Sequence, residues 1–250
     1  MTHGLHMFRL IQLLPLLLLT LTNGAIAEDI KLTATDWPPY ASAQLYRNGV
    51  AIVLTEEALQ RAGYTATTTI APWPQALESV ADGTYDIVTS VWKTDERSEE
   101  LVFSEPFMRN YIIFIKRSGS AAQFNELADL QGLRIGVVTD YAYSNEPYDT
   151  TGIEISEAGS VQENINLLLK DQLDLVLADG RVAAYEIDQM VVAKELTIIR
   201  NPLITRGMRI GVSRQNPNHE KIVAAFDESI AEMREDGSYN AILATFRVSQ

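Results

Sequence analysis

Short apolar and β-branched runs alternate with amphipathic segments along most of the chain. A strand is predicted over Ile30–Thr35. A helix follows over Gly49–Ala62, where apolar residues recur every three or four positions. Strands are next predicted over Thr65–Ile70 and Tyr85–Val91, with a helix over Trp73–Asp82 between them. Strands that alternate with helices indicate an α/β protein with mostly parallel sheets.

The same alternation continues in the second half of the chain. Strands are predicted over Tyr111–Lys116, Leu133–Val138, Leu173–Ala178, Leu196–Ile199 and Met208–Val212. Helices are predicted over Asn125–Gln131, from Asp140–Ser144 onward, over 160–170, over Arg181–Met190, across 222–233 and over Tyr239–Phe246. The sequence contains no Gly/Ser-rich linker. Two lobes would therefore be joined by strands and not by a flexible tether.

The N-terminus has the three-part pattern of an export signal. Leu10–Leu21 is almost continuously apolar, and Ala25-Ile26-Ala27 supplies the small residues that a signal peptidase reads. An uncleaved membrane anchor is the alternative, but the apolar run is far shorter than the roughly 20 residues that span a bilayer. We therefore expect residues 1–27 to be a signal peptide, cleaved after Ala27.

Composition and charge exclude several classes of function. The chain has 33 Asp+Glu against 20 Lys+Arg, a net charge of −13. This balance argues against a nucleic-acid partner, because each phosphate contact needs a Lys or Arg. There is no Cys, and of the three His only His219 lies outside the predicted signal. A Cys nucleophile, a His-based triad and a multi-His metal site are thus ruled out, and we predict no metal, cofactor or catalytic residue.

Two segments of the first half carry candidate binding residues. Asp36–Tyr40 holds Trp37 and Tyr40 on a proline-stiffened loop after a strand, where α/β folds place ligands. Surface packing of the two rings is an equally good interpretation. Ser90 ends a strand and Arg97 follows it, and an Arg fork suits a carboxylate. A surface salt bridge between Arg97 and a neighbouring Glu is the alternative, which spacing alone favours.

Two segments of the second half also carry candidate binding residues. The strand ending at Val138 runs into the predicted helix start at Asp140, whose free N–H groups could hold an anion, although an ordinary strand–helix turn has the same pattern. Asp179 follows an apolar strand. It could accept hydrogen bonds from a ligand ammonium or cap the next helix, and the two roles are compatible.

Taken in order, these features resemble extracellular solute-binding protein family 3, over nearly all of the predicted mature chain. The motifs that carry the resemblance are Asp36–Tyr40, Pro72-Trp73, Gly83 with Tyr85-Asp86, Thr94-Asp95-Glu96-Arg97, Phe103-Ser104-Glu105-Pro106-Phe107, Leu130 with Gly132 and Ile135-Gly136-Val137, and Glu232-Met233 with Asp236-Gly237-Ser238-Tyr239.

The resemblance implies a two-lobed fold, the type II periplasmic-binding-protein architecture. Each lobe would be a mixed, mostly parallel sheet flanked by helices, and two crossing strands would form the hinge. Lobe 1 would comprise residues 28–108 and 209–250, and lobe 2 residues 109–208. The ligand would lie in the cleft between the lobes, and the lobes would close on it.

The resemblance also implies roles for particular residues. Arg97 would clamp a ligand α-carboxylate, assisted by Ser90. Asp179 would hold an α-ammonium group, and Trp37 would stack on the ligand. Asp36 beside it could contact a basic end.

The sequence departs from the family pattern at aromatic positions. Asp140-Tyr141-Ala142 stands where the family has Gly followed by Ser or Thr, so a hydroxyl donor is lost while backbone N–H groups remain. Trp92 replaces a small polar residue, and Trp73 an aliphatic one. Together with Tyr40 and Tyr143 these residues predict an aromatic cleft, which favours a flat aromatic or cationic ligand.

We therefore expect a monomeric periplasmic receptor that captures a small amino acid, carboxylate or amine and delivers it to an inner-membrane ABC permease. One alternative is an enzyme on the same scaffold, such as a cyclohexadienyl or arogenate-type dehydratase, with Asp36, Asp140 or Asp179 as general acid. Another is a ligand-sensing partner of a membrane signalling protein. Neither alternative has a supporting motif.

Overall fold

The structure, a computed structural model, describes residues 1, 28–143 and 152–248. The predicted signal peptide falls, apart from Met1, outside the described residues. Within the described ranges, every helix is too short or too polar to cross a bilayer.

Strands and helices alternate as the sequence predicts. The strands are β1 Glu28–Ala34, β2 Tyr64–Ile70, β3 Ile87–Trp92, β4 Leu101–Phe103, β5 Met108–Arg117, β6 Arg134–Val138, β7 Glu154–Ala158, β8 Leu175–Asp179 and β9 Leu196–Ser213. The helices are α1 Val50–Arg61, α2 Trp73–Ala81, α3 Asp95–Ser98, α4 Val161–Leu169, α5 Gly180–Asp188, α6 His219–Glu235 and α7 Ser238–Thr245.

The strands form two parallel groups joined by an antiparallel pair. Their order is β2-β1-β3-β9-β5-β8-β6-β7, and β4 pairs with β9 off this path. β1 pairs in parallel with β2 and β3, and β6 pairs in parallel with β7 and β8. β5 and β9 pair antiparallel between the two groups. The proposed lobe boundaries, 108/109 and 208/209, fall within these two crossing strands.

The crossing strand β9 corrects one prediction. Two strands, Leu196–Ile199 and Met208–Val212, were expected, but the structure has one strand of 18 residues. The register of its pairing with β5 shifts: Ile112 pairs with Ile204, but Phe114, two residues later, pairs with Ile199. Pro202 lies in the extra residues of this bulge, where its missing N–H interrupts no ladder hydrogen bond.

The segment after β6 corrects a second prediction. Residues 140–143 are not helical, and the rest of the helix expected from Asp140–Ser144 lies outside the described residues. Asp140 has a left-handed backbone (φ 62°), and the Tyr143 N–H donates to the Tyr141 carbonyl at 3.0 Å. This tight turn brings both tyrosines toward the cleft, and no helix N-terminus forms at Asp140.

Candidate functional site

A small cavity lies where β1, β3 and β6 end. Its volume is about 30 Å³, room for roughly two water-sized groups. The cavity is lined by Thr35, Trp37, Trp73, Ser90, Trp92, Arg97, Asp140, Tyr141 and Ala142. These residues come from both parallel groups of strands, so the cavity lies in the cleft between the lobes.

A tight turn after β1 presents Trp37 and Tyr40. The Trp37 N–H donates to the Ala41 carbonyl at 2.6 Å, and the Tyr40 N–H donates to the Trp37 carbonyl at 2.9 Å. Both side chains are buried, while Asp36 is exposed. The loop predicted from its prolines therefore directs its two rings inward, and the surface-packing alternative is wrong.

Ser90 occupies a strained position at the end of β3. Its φ is 62°, and the pairing of β3 with β9 is irregular between Val88 and Val91. A non-glycine residue in this region costs roughly 1–3 kcal/mol and is most often found at functional sites. The Ser90 hydroxyl is buried and has no hydrogen-bond partner among the described residues. The strained turn thus brings an unsatisfied hydroxyl group to the cavity.

Arg97 is held in α3, and most of its guanidinium donors have no partner among the described residues. Thr94 caps the helix by accepting from the Arg97 N–H at 3.1 Å. One guanidinium nitrogen donates to the Trp92 carbonyl at 3.0 Å, and the guanidinium carbon lies 5.0 Å from the centre of the Trp73 ring. Among the described residues no carboxylate forms a salt bridge with Arg97, so the predicted alternative, a pair with Glu96, Glu99 or Glu100, is not present.

Burial changes the electrostatics of this arginine. Loss of water lowers the pKa of Arg97, an effect that the nearby Glu96 partly offsets. A guanidinium stays cationic at neutral pH even so, because its ordinary pKa exceeds about 12. A half-buried, incompletely paired cation beside a cavity is suited to a carboxylate, which can accept two parallel hydrogen bonds from it.

Two buried polar groups at the cavity lack partners among the described residues, and each of them can donate a hydrogen bond. The buried indole N–H of Trp37 has no acceptor within the described part of the chain, as the Ser90 hydroxyl has no partner. Leaving such a group buried and unpaired costs about 1–3 kcal/mol. A carboxylate placed here could accept from Trp37, Ser90 and Arg97 at once.

Five aromatic rings from both lobes close the cleft. We call Trp37, Tyr40, Trp92, Tyr141 and Tyr143 the aromatic cluster. The Trp37 ring centre lies 5.7 Å from Trp92 and 6.1 Å from Tyr141, and Trp92 lies 5.9 Å from Tyr143. Edge-to-face contacts at these distances are favourable. The aromatic cleft expected from the sequence is therefore present, and its rings pack on each other.

Asp179 lies behind the cluster and does not line the cavity. It is 3 % exposed, and its carboxylate accepts from the Tyr40 hydroxyl at 2.8 Å and the Asn110 amide at 3.0 Å. It also accepts from the N–H groups of Arg181 and Val182, both at 3.0 Å. Its predicted helix-capping role is confirmed. Its predicted contact with a ligand ammonium stays a prediction.

Burial perturbs both partners of the Tyr40–Asp179 hydrogen bond. Removal from water raises the pKa of the Asp179 carboxyl, although its hydrogen bonds and Arg181 oppose the rise. Burial, with the neighbouring Asp179 charge, raises the pKa of Tyr40 well above its ordinary value. The phenol is therefore neutral, with its proton available for donation to the carboxylate.

Asn110 is a site residue that the sequence analysis missed. It is fully buried on β5, accepts from the Trp92 indole N–H at 2.9 Å, and donates to Asp179. It thus links a lobe 1 ring to a lobe 2 carboxylate through a crossing strand. Asn110 follows the charged Arg109 and precedes the predicted strand Tyr111–Lys116, so the local sequence did not mark it, and its partners are 18 and 69 positions away.

A larger outer cavity continues from the far side of Arg97. Its volume is about 730 Å³, and it shares Trp73, Arg97, Asp140, Tyr141 and Ala142 with the small cavity. Its remaining wall includes four exposed glutamates, Glu78, Glu96, Glu99 and Glu100. The inner cavity, with its Arg97 and Trp37 donors, therefore shares part of its wall with an acidic outer cavity.

The structure brings together most of the predicted site residues. Trp37, Trp73, Ser90, Trp92, Arg97, Tyr141 and Ala142 line the inner cavity. Tyr40 and Tyr143 belong to the aromatic cluster, whereas Asp36 and Asp179 line neither cavity. No group of three or more metal-ligating side chains occurs in the described parts of the chain.

A two-lobed α/β fold with its site in the interlobe cleft defines a class, the type II binding proteins. The model of the family "Bacterial extracellular solute-binding proteins, family 3" matches residues 31–248. The chain belongs to this family, which confirms both the resemblance drawn from the motifs and the solute-binding function.

Relatives and solved structures agree with this assignment. The chain is 25% identical to the lysine/arginine/ornithine-binding periplasmic protein of Escherichia coli K12 over 87% of its own length and 86% of that protein. An arginine 3rd transport system periplasmic binding protein from Legionella pneumophila superposes with a TM-score of 0.74 at 21% identity, covering 88% of this chain and all of the other.

The fold is also shared by a histidine kinase sensor domain with similarity to periplasmic binding proteins. The TM-score is 0.75 at 19% identity, with 88% of this chain and 96% of the domain covered. These likenesses confirm the predicted fold class.

Proposed function

We propose that this chain is a periplasmic receptor that binds a small carboxylate solute between its lobes and delivers it to an inner-membrane ABC permease. In this proposal the export signal over residues 1–27 is removed and the receptor acts as a monomer. The family is one of binding proteins, and we propose no catalytic step.

One observation carries the proposal: around the small cavity, two buried donors have no partner among the described residues and a half-buried cation has no carboxylate partner there. The Trp37 indole N–H and Ser90 hydroxyl are buried and unpartnered among the described residues, and Arg97 has no carboxylate partner there. A ligand carboxylate would satisfy all three and recover the cost of burying them.

The outer cavity supplies the room that the inner cavity lacks. A volume of about 30 Å³ accommodates a carboxylate group but not a whole amino acid. We propose that the rest of the ligand extends past Trp73 into the outer cavity of about 730 Å³. The glutamates there would attract a cationic end group, and the indole face of Trp73 would support a flat one.

The experiment is a thermal-shift screen of carboxylates, each paired with its neutral primary amide. Suitable pairs come from amino acids, guanidino acids and arylalkanoic acids. A ligand that binds only the folded state raises the melting temperature by mass action. We expect acids with flat or cationic end groups to raise it and their amides not to. Equal shifts from acids and amides, or no shift from any acid, would contradict the proposal.

A further inference from the structure

The Asp179 carboxylate is already occupied by the protein's own donors. Its Oδ1 atom accepts from the Tyr40 hydroxyl and from two backbone N–H groups at the start of α5. Its Oδ2 atom accepts from the Asn110 amide. A carboxylate offers about four acceptor positions. Three of the four donors share Oδ1, so the capacity that remains for an ammonium group lies on Oδ2, beside the Asn110 amide.

Two rings also separate this carboxylate from the cavity. Trp37 lines the cavity and packs on Tyr40, with their ring centres 4.8 Å apart. Trp92 lines the cavity and donates to Asn110. Tyr40 and Asn110 in turn hold Asp179. From the Trp37 side, an ammonium group would reach Asp179 by displacing the Tyr40 hydroxyl, which is buried and 2.8 Å from its acceptor.

We infer that the Tyr40 hydroxyl takes the position of a ligand α-ammonium group, so that this receptor prefers carboxylates without an α-amino group. The inference rests on the proposed function, because it assumes that a ligand carboxylate binds at Arg97. It makes Tyr40 a specificity-determining residue that never needs to touch the ligand.

The remaining carboxylate near the cavity does not offer an equivalent site. Asp140 is the one carboxylate that lines the inner cavity among the described residues, and it is exposed and shared with the outer cavity. Its charge is therefore screened by water and suits a distal cation. An α-ammonium group desolvated in the inner cavity would face the Arg97 cation and the Trp37 N–H, with a neutral hydroxyl such as that of Ser90 and no buried carboxylate among the described lining residues to accept from it, which disfavours it.

The test compares ligands that differ only in the α-ammonium group. Calorimetric affinities are measured for L-phenylalanine against 3-phenylpropanoate and for L-arginine against 5-guanidinopentanoate. We expect the wild-type protein to bind at least one deaminated acid, about tenfold or more tightly than its amino acid, because the ammonium loses water without gaining an acceptor. Tighter or equal binding of the amino acid would overturn the inference and leave the proposed function standing.

Two variants locate the cause. Tyr40→Phe removes the hydroxyl but keeps the ring, so one acceptor position of Asp179 becomes free and the preference for the deaminated acid should fall about tenfold. Tyr64→Phe removes the hydroxyl of another buried tyrosine, on β2 and outside both cavities, and should keep the wild-type preference.

An unchanged preference in Tyr40→Phe would refute the role of Tyr40. Failure of all four ligands to bind the wild-type protein would contradict the proposed function and the inference with it.

Discussion

Single residues at this site are placed by neighbours distant in sequence. Arg97 and Ser90 could be selected from the sequence because their motif is local. Arg97 could bind a ligand carboxylate or form a surface salt bridge. Only the fold shows whether a carboxylate of the protein pairs with it. Asp179 shows the opposite case: its capping role follows from the next residues, but its bond to Tyr40 spans 139 positions. Asn110 gave no local signal at all.

At the residue scale, Asn110→Ala tests the buried link between the lobes. The change leaves the Trp92 indole N–H without an acceptor and deprives Asp179 of a donor. We expect the free energy of unfolding to fall by about 2–3 kcal/mol, measured by denaturant titration. The control Asn125→Ala removes an exposed amide and should change stability by less than about 0.5 kcal/mol. Equal losses in both variants would refute the role assigned to Asn110.

Elements were predicted well where periodicity is strong and poorly where pairing decides. The helix expected over Gly49–Ala62 occurs as Val50–Arg61, because its apolar face repeats over three turns. The short strands β4 and β7 were missed, since only their partners β9 and β6 define them. The helix start expected at Asp140 failed because the left-handed turn there serves the aromatic cluster, a tertiary effect.

At the element scale, the start of α1 packs against the backbone of the turn that carries Trp37 and Tyr40. Gly49 has φ 105°, and a Cβ atom there would clash with the Tyr40 carbonyl oxygen. That carbonyl also accepts from the Ala51 N–H at 3.0 Å. A side chain at position 49 must therefore displace the turn that carries Trp37 and Tyr40.

Gly49→Ala should thus weaken both folding and ligand binding. The matched control is Gly63→Ala after the same helix, where φ is 86° but nothing lies within 4 Å of the added Cβ. We expect the control to lose about 1–2 kcal/mol of stability with unchanged affinity, and Gly49→Ala to lose more and to bind less tightly. Denaturant titration and calorimetry measure the two quantities. Wild-type affinity in Gly49→Ala would show that the turn does not depend on this contact.

At the scale of the whole molecule, the two lobes contact each other across the cleft through the aromatic cluster and through the hydrogen bonds of Asp179. Trp37, Tyr40 and Trp92 come from lobe 1, whereas Tyr141, Tyr143 and Asp179 come from lobe 2. The sequence indicated the two-lobed class and the aromatic character of the cleft. It did not indicate that the rings fill the cleft themselves, because that depends on how the lobes close.

The distribution of tryptophan allows the central claim to be measured directly. The chain has three Trp residues, and all of them, Trp37, Trp73 and Trp92, line the inner cavity. Tryptophan fluorescence, excited at a wavelength where tyrosine absorbs little, therefore reports on this site. A ligand carboxylate that binds at Arg97 must alter the surroundings of at least two of these rings.

The decisive measurement is a fluorescence titration with the carboxylate that gives the largest thermal shift. We expect a saturable emission change in the wild-type protein. Arg97→Ala should raise the dissociation constant about a hundredfold, and Arg97→Lys, which keeps the charge but loses the fork, by less. Arg200→Ala, an exposed arginine in the β9 bulge, should titrate like the wild type. Wild-type affinity in Arg97→Ala would contradict the account of this site.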